Sequence, residues 1–304
     1  MNWRFSFCLA LAFLSCSSFS MGADKVIQTV NYPLAYFAER ILGEEIGKSV
    51  ELRFEAPPEI DPAFWKPGED AVIAFQNADL ILDNGTDYAS WMKSFSLPRS
   101  IIANTSAAFE SDYLVMKGGL EHSHGNGEVH SHDGTAFTTW LDFGQAKRQA
   151  EAVLVALVKL LPHTEDELRK KAEDLFADLE ALNREMKRIG KDLEGIPLVA
   201  SHPVYQYLER AYGLSLKSVH WEPDTVPVGE PVKELEQVLA EHEAKWMLWE
   251  GAPGSVAVEF LEEKGIGSVV FDPCANRPED GDWLSVMRSN LETLDEVATF
   301  VRKN

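Results

Sequence analysis

The sequence predicts an α/β protein of two lobes, each a parallel sheet flanked by helices, joined by one long rigid helix. Three observations predict it. Short apolar runs alternate with helical stretches in the first half of the chain, as in βαβ units around a parallel sheet. From Leu168 to Leu193 apolar residues recur at four–three spacing without a slip. Beyond that stretch the alternation of strand and helix resumes to the C-terminus.

Taken in order, residues 1–22 read as a secretory signal peptide. Arg4 precedes an apolar run from Phe5 to Leu14, and the small residues Ser15-Cys16-Ser17-Ser18 follow. That run, about ten residues long, is too short to cross a bilayer, which needs about 20. Phe13-Leu14-Ser15-Cys16 is an imperfect lipobox, so a lipid anchor at Cys16 is the alternative to free export. It is the one membrane contact expected of a protein that is otherwise periplasmic or extracytoplasmic.

The N-terminal lobe is expected over 24–162. Val26–Val30 reads as a strand, Pro33–Leu42 as a helix, Val50–Phe54 as a second strand, and Ala71–Asn77 as a helix leading into strand Ala78–Leu82. Ser100–Ala103 is a fourth strand candidate. The connecting helix spans 163–193, with Thr164-Glu165-Asp166-Glu167 as a capping box, Pro162 before it and Gly190 and Gly195 around its end. At 1.5 Å per residue it is about 40–45 Å long, the span of a domain. A dimeric coiled coil is the competing reading of this stripe; the α/β sequence on both sides favours a helix packed within one chain, hence a monomer.

The C-terminal lobe, 194–304, repeats the pattern. Strands are expected at Pro197–Ala200, Leu214–Val219, Met247–Trp249 and Val269–Phe271. Helices are expected at Val204–Tyr212, Val232–Trp246, Ser255–Lys264 and Trp283–Phe300.

Formal net charge is −21. Removing the leader leaves 27 cations against 49 acids, a net of −22. Such a surface repels nucleic acid and anionic headgroups, whose binding relies on Lys and Arg. Cys274 is the one cysteine beyond the leader, so no intrachain disulfide is expected and an ordinary core must hold the fold.

In open parallel sheets ligands bind beyond the carboxyl ends of the strands. In the C-terminal lobe that rule selects His202, His220, Glu250 and Asp272, one after each strand. Two imidazoles and two carboxylates can hold a divalent ion such as zinc or manganese. Singly, each is more often a helix cap or a satisfied turn residue; four together favour a site. Cys274 could add a thiolate but reads better as a small buried residue. Glu59 and Asp61 read as surface acids, and core packing is the expected role for most of Trp65, Trp140, Trp221 and Trp249. A second signal is the His-rich loop at 121–133. It carries His122, His124, His130 and His132 among acids and glycines, a composition suited to auxiliary metal capture at modest affinity.

Several short motifs, in order, carry a family likeness: Asn31-Tyr32-Pro33-Leu34, Ala78-Asp79-Leu80 leading to Asn84-Gly85, Trp140-Leu141-Asp142, Ser201-His202-Pro203 with Tyr207 and Tyr212-Gly213-Leu214, Asp272-Pro273, and Asn290-Leu291. The chain resembles the zinc/manganese-type periplasmic solute-binding proteins of metal ABC importers, over nearly its whole mature length. The resemblance implies a receptor, not an enzyme, that binds Zn2+, or Mn2+, as transported ligand between two lobes and hands it to an ABC permease. It also implies ligands at four points. His202 and Asp272 match two of them; at the other two this chain has Ala63 and Thr138. Three repairs are open: mobile histidines swinging in, the second-lobe rim completing the sphere with His220, Glu222 or Glu250, or loss of tight metal binding. The last would make the chain a metal scavenger or chaperone, a non-metal solute receptor, or an adhesin. A metallohydrolase is the competing enzyme class, but no His-Glu-x-x-His cluster, nucleophile elbow or phosphate loop occurs.

Overall fold

The computed structural model describes residues 25–116, 120–124, 128–132 and 134–303. The expected signal peptide and Cys16 lie outside the described residues. In the first lobe β1 (Lys25–Thr29) leads into α1 (Tyr32–Leu42), β2 (Val50–Phe54), α2 (Glu69–Gln76), β3 (Leu80–Asp83) and β4 (Ile102–Asn104). The four strands form a parallel sheet in the order β2-β1-β3-β4. Asn31 begins α1 because its side chain accepts the Leu34 N–H at 3.2 Å, satisfying one of the orphan donors of the first turn.

Within the His-rich loop, β5 (Leu120–His124) and β6 (Glu128–His132) pair antiparallel, with His122 opposite His130. The alternation His-Ser-His in both arms has the two-residue period of a strand, so the segment has more regularity than its composition suggested. α3 (Phe143–Leu160) follows. It starts on Asp142, whose carboxylate accepts the Gly144 and Gln145 N–H groups at 3.0 and 3.2 Å.

α4 (Glu165–Asp192) is the connecting helix. It buries Leu168, Ala172, Leu175, Leu179, Leu182, Met186 and Ile189, the stripe read from the sequence. Its start differs from the expected capping box. Thr164 donates its hydroxyl back to the Leu161 carbonyl at 3.0 Å and accepts nothing from the helix. The acidic first turn Glu165-Asp166-Glu167 still favours the positive end of the helix dipole. Gly190 lets α4 approach the next lobe, because a Cβ there would lie 2.3 Å from the Tyr212 carbonyl oxygen.

The second lobe comprises β7 (Pro197–Ala200), α5 (Gln206–Tyr212), β8 (Ser215–Ser218), α6 (Glu230–Glu241), β9 (Trp246–Trp249), α7 (Ser255–Glu263), β10 (Gly267–Val270) and α8 (Trp283–Lys303). Its parallel strands run in the order β10-β9-β7-β8. Read from the other edge this is β8-β7-β9-β10, the order of the first sheet.

The lobes share a core. Trp283 of the second lobe stacks edge-on against Phe37 and Phe143 of the first, with ring centroids 5.3 and 6.3 Å away. The Trp140 indole N–H donates to the Pro273 carbonyl at 2.8 Å. Asp178 on α4 accepts from Arg40 of α1 at 2.9 Å and from Arg288 of α8 at 3.0 Å, so one carboxylate ties the helix to both lobes. Trp65, Trp140, Trp221, Trp249 and Cys274 are all buried, as packing residues should be. Among the described residues no helix is long and apolar enough to cross a membrane.

Candidate metal centre

The order β10-β9-β7-β8 sets which strand ends can meet. Adjacent strands lie about 4.8 Å apart and next-but-one strands about 10 Å. His202 follows the central strand β7, Glu250 follows its neighbour β9, and Glu222 follows β8 on the other side. The gap between β7 and β9 is the topological switch point, where successive connections leave in opposite directions and open a crevice. Beyond its last paired residue the β8 chain keeps its register beside β7. Val219 N–H bonds Ala200 O and Trp221 N–H bonds Ser201 O, both at 2.9 Å, and this draws Glu222 alongside His202.

The three side chains converge. His202 Nδ1 lies 2.7 Å from Glu250 Oε1, and its Nε2 lies 3.4 Å from Glu222 Oε1. One donor atom from each falls within 4.8 Å of the others, the one such group of three or more His, Cys, Asp or Glu side chains among the described residues. Burial by itself draws the imidazole pKa down. The hydrogen bonds and charges of Glu222 and Glu250 outweigh it, and the pKa is pushed up to about 10. At neutral pH the ring is therefore an imidazolium clamped between two carboxylates, one at each ring nitrogen. Because the two carboxylates face different ring nitrogens, an ion held by one nitrogen needs the carboxylate on the other to swing across. That closes ligand atoms within 4.8 Å of one another to the ~3.3 Å between N and O ligands of tetrahedral zinc.

His202 and Glu250 are thus brought together as the sequence suggested. His220 and Asp272 are not part of the group. His220 turns to α6, its Nδ1 2.9 Å from Glu234 Oε1 while its backbone N–H donates to Glu234 Oε2 at 2.8 Å. Its ring stays edge-on to His202, centroids 6.3 Å apart. Asp272 follows β10, two strands from β7, and its carboxylate accepts the Cys274 N–H at 2.6 Å. Burial raises its pKa, and the nearby charge of Glu250 adds to that. Glu222 takes the place the sequence reading gave first to these two. The strand-end rule missed it because it lies four residues past the end of β8.

On the first-lobe side, Ala63 is buried and its N–H donates to Asp61 Oδ1 at 2.9 Å. Thr138 donates its hydroxyl to the Val204 carbonyl across the seam between the lobes. Where the resemblance implied two ligands, this chain has a methyl group and an interlobe tie.

Residues 27–297 match the family model ZnuA, described as zinc-uptake complex component A, periplasmic. A Thermotoga maritima protein described as metal-binding is 20% identical over 261 residues, covering 84% of this chain and 88% of that protein. Among solved structures, the metal-dependent lipoprotein YcdH of Bacillus subtilis superposes with a TM-score of 0.73 at 20% identity, over 89% of this chain and 98% of that one. The Zn(II)-bound ZnuA-like domain of Streptococcus pneumoniae AdcA gives 0.73 at 18% identity, over 91% and 99%. These structural likenesses establish the shared two-lobed fold.

Proposed function

The chain belongs to the family of the periplasmic zinc-uptake component A proteins, and from that premise we propose that it is an extracytoplasmic receptor that takes up a divalent transition metal and delivers it to an ABC permease. The cargo is zinc first, with manganese next. His202, Glu222 and Glu250 hold it, and no bond of a substrate is made or broken. The observation that carries this reading is the convergence of one imidazole and two carboxylates at the switch point of the second sheet. An imidazole with carboxylate oxygens is a donor set that zinc accepts. Capture through one ring nitrogen displaces the imidazolium proton there and leaves the other N–H in place, so uptake releases a proton. The four loop histidines, His122, His124, His130 and His132, serve as auxiliary capture groups at lower affinity. With α4 packed on both lobes, release is expected to come from local rearrangement of the second-lobe loops rather than a wide hinge.

The test is a calorimetric zinc titration of chelator-treated protein. One tight site per chain is expected, and His202→Ala should weaken it by about tenfold or more, about 1.4 kcal/mol. Undiminished affinity in that variant would move the site elsewhere.

A further inference from the structure

An open groove of about 630 Å³ lies between α3 and the edge strand β4 of the first lobe. Ile101, Ile102 and Ala103 form one wall, and Ala152, Val155 and Ala156 the other. Along α3 it runs from Arg148 to Leu160, about 18 Å at 1.5 Å per residue. The helical wall is two adjacent i,i+4 rows, Arg148-Ala152-Ala156-Leu160 and Glu151-Val155-Lys159. The first row is low, because its middle residues are alanines. The second stands up, with Val155 66% exposed. A raised row beside a low one is the surface that packs against another helix, ridge into groove. Single exposed valines are ordinary, but this one stands on the lip of an apolar groove.

An added strand is the rival occupant of a groove beside a sheet edge, but this edge is poorly made for one. β4 has three residues, Pro98 precedes the turn that leads into it, and the Ile102 N–H is spent on the Arg99 carbonyl. Short edges of this kind discourage strand addition, so a helix is the better occupant. The charges say which helix. Glu151 and Lys159 lie four residues on either side of Val155. When two copies of α3 cross antiparallel on a two-fold axis at Val155, Glu151 of each copy faces Lys159 of the other. A parallel crossing would instead oppose Glu151 to Glu151 and Lys159 to Lys159. Neither residue is committed elsewhere. Lys159 has no ion-pair partner among the described residues. Glu151 has Lys147 at 3.9 Å, and Lys147 lies closer to Glu180.

We propose that this face of α3 is a self-association surface, on which a second copy of the chain packs its own α3 antiparallel and seats Val155 in the groove. The expectation of a monomer rested on α4, whose apolar stripe is buried within the chain; α3 offers a different face. Exposed ion pairs contribute little each, so the valine and the groove walls supply the affinity. The two charge pairs set the direction of the crossing. A contact built around one helix pair is at the small end of specific interfaces, so the dimer dissociates on dilution. The surface belongs to the first lobe and is independent of the metal reading of the second.

The experiment is sedimentation velocity of the purified chain from micromolar to millimolar concentration. A concentration-dependent equilibrium of monomer and dimer is expected. Val155→Asp places a charge in the apolar contact and should weaken the dimer by about tenfold or more. Glu151→Lys and Lys159→Glu each turn two attractive pairs into two repulsive ones, and each should weaken it by about tenfold. All three positions are exposed, so the variants keep the fold. An equimolar mixture of Glu151→Lys and Lys159→Glu restores both pairs and should associate as tightly as the natural chain. The proposal is overturned by a chain that stays monomeric at millimolar concentration, by a dimer indifferent to Val155→Asp, or by a mixture that associates no better than its components.

Discussion

The two sheets have the same strand order, so each has its switch point between corresponding strands, yet those points are filled by opposite chemistry. In the first lobe the residues after β1 and β3 are Asn31 and Asn84, joined at 3.2 Å. Asn84 Oδ1 also accepts from Gln149 at 3.1 Å and Thr139 at 3.5 Å. All four side chains are buried and none is ionisable. In the second lobe the same place holds His202 between Glu250 and Glu222. The first crevice is closed by a satisfied amide network, which rigidifies. The second holds a proton-bridged charged group, the proposed metal site. One topology supplies two crevices; the residues after the strands decide which is structure and which is site.

The sharpest break in this comparison is Asn84→Ala. It would take this partner from the Asn31 amide and the Phe137 carbonyl and one of two bonds from the Gln149 amide, and at 1–3 kcal/mol per buried unsatisfied group about 3–4 kcal/mol of stability should be lost. Zinc affinity should stay within about twofold, since distant sites that share no partners behave independently. Urea unfolding and calorimetry would check both, and a loss of affinity without a loss of stability would reverse the roles given to the two lobes.

A second contrast is in pH. Asp83 of the first lobe is raised from 3.8 to about 6, chiefly by burial. His202 of the second is raised from 6.5 to about 10, its carboxylate partners outweighing burial. Both groups bind protons more tightly folded than unfolded, so both contribute stability that is lost as pH rises through the folded value. Metal-free protein should therefore lose stability in two windows, about pH 4 to 6 and about pH 6.5 to 10. Asp83→Asn should flatten the first, worth up to about 3 kcal/mol at ~1.4 kcal/mol per pKa unit. His202→Asn should flatten the second. Denaturant midpoints across that range, in chelator, would show a single window or none if either group is misjudged.

The smallest effect concerns the tie between the lobes. Thr138→Val removes the hydroxyl that bonds the Val204 carbonyl and should cost about 1 kcal/mol, read as a lower thermal midpoint. A change of zinc affinity well beyond twofold would mean that this seam also sets the geometry of His202.

Much of this was legible in the sequence because it rests on local pattern. The α4 stripe appears residue for residue in the buried face, and strands β2 and β7 fall where their apolar runs end. α3 is a different case. It buries Gln145 and Gln149 with its apolar residues, and those two polar side chains interrupt the stripe that would announce a helix. Gln149 is inside because Asn84, Thr139 and Thr105 bond it, partners that are distant in the chain. The candidate metal group divides in the same way. His202 and Glu250 end their strands, so the strand-end rule finds them. Glu222 does not, and only the continued pairing of Val219 and Trp221 with β7 brings it in.

The sequence by itself determined the two lobes, the helix that joins them and the residue types at the rim of the second sheet, because periodicity and chain order are local properties. The tertiary structure alone decided which rim residues meet. Strand order puts Glu250 and Glu222 one strand from His202 and Asp272 two, and a few ångströms of sheet spacing separate a member of the group from a neighbour.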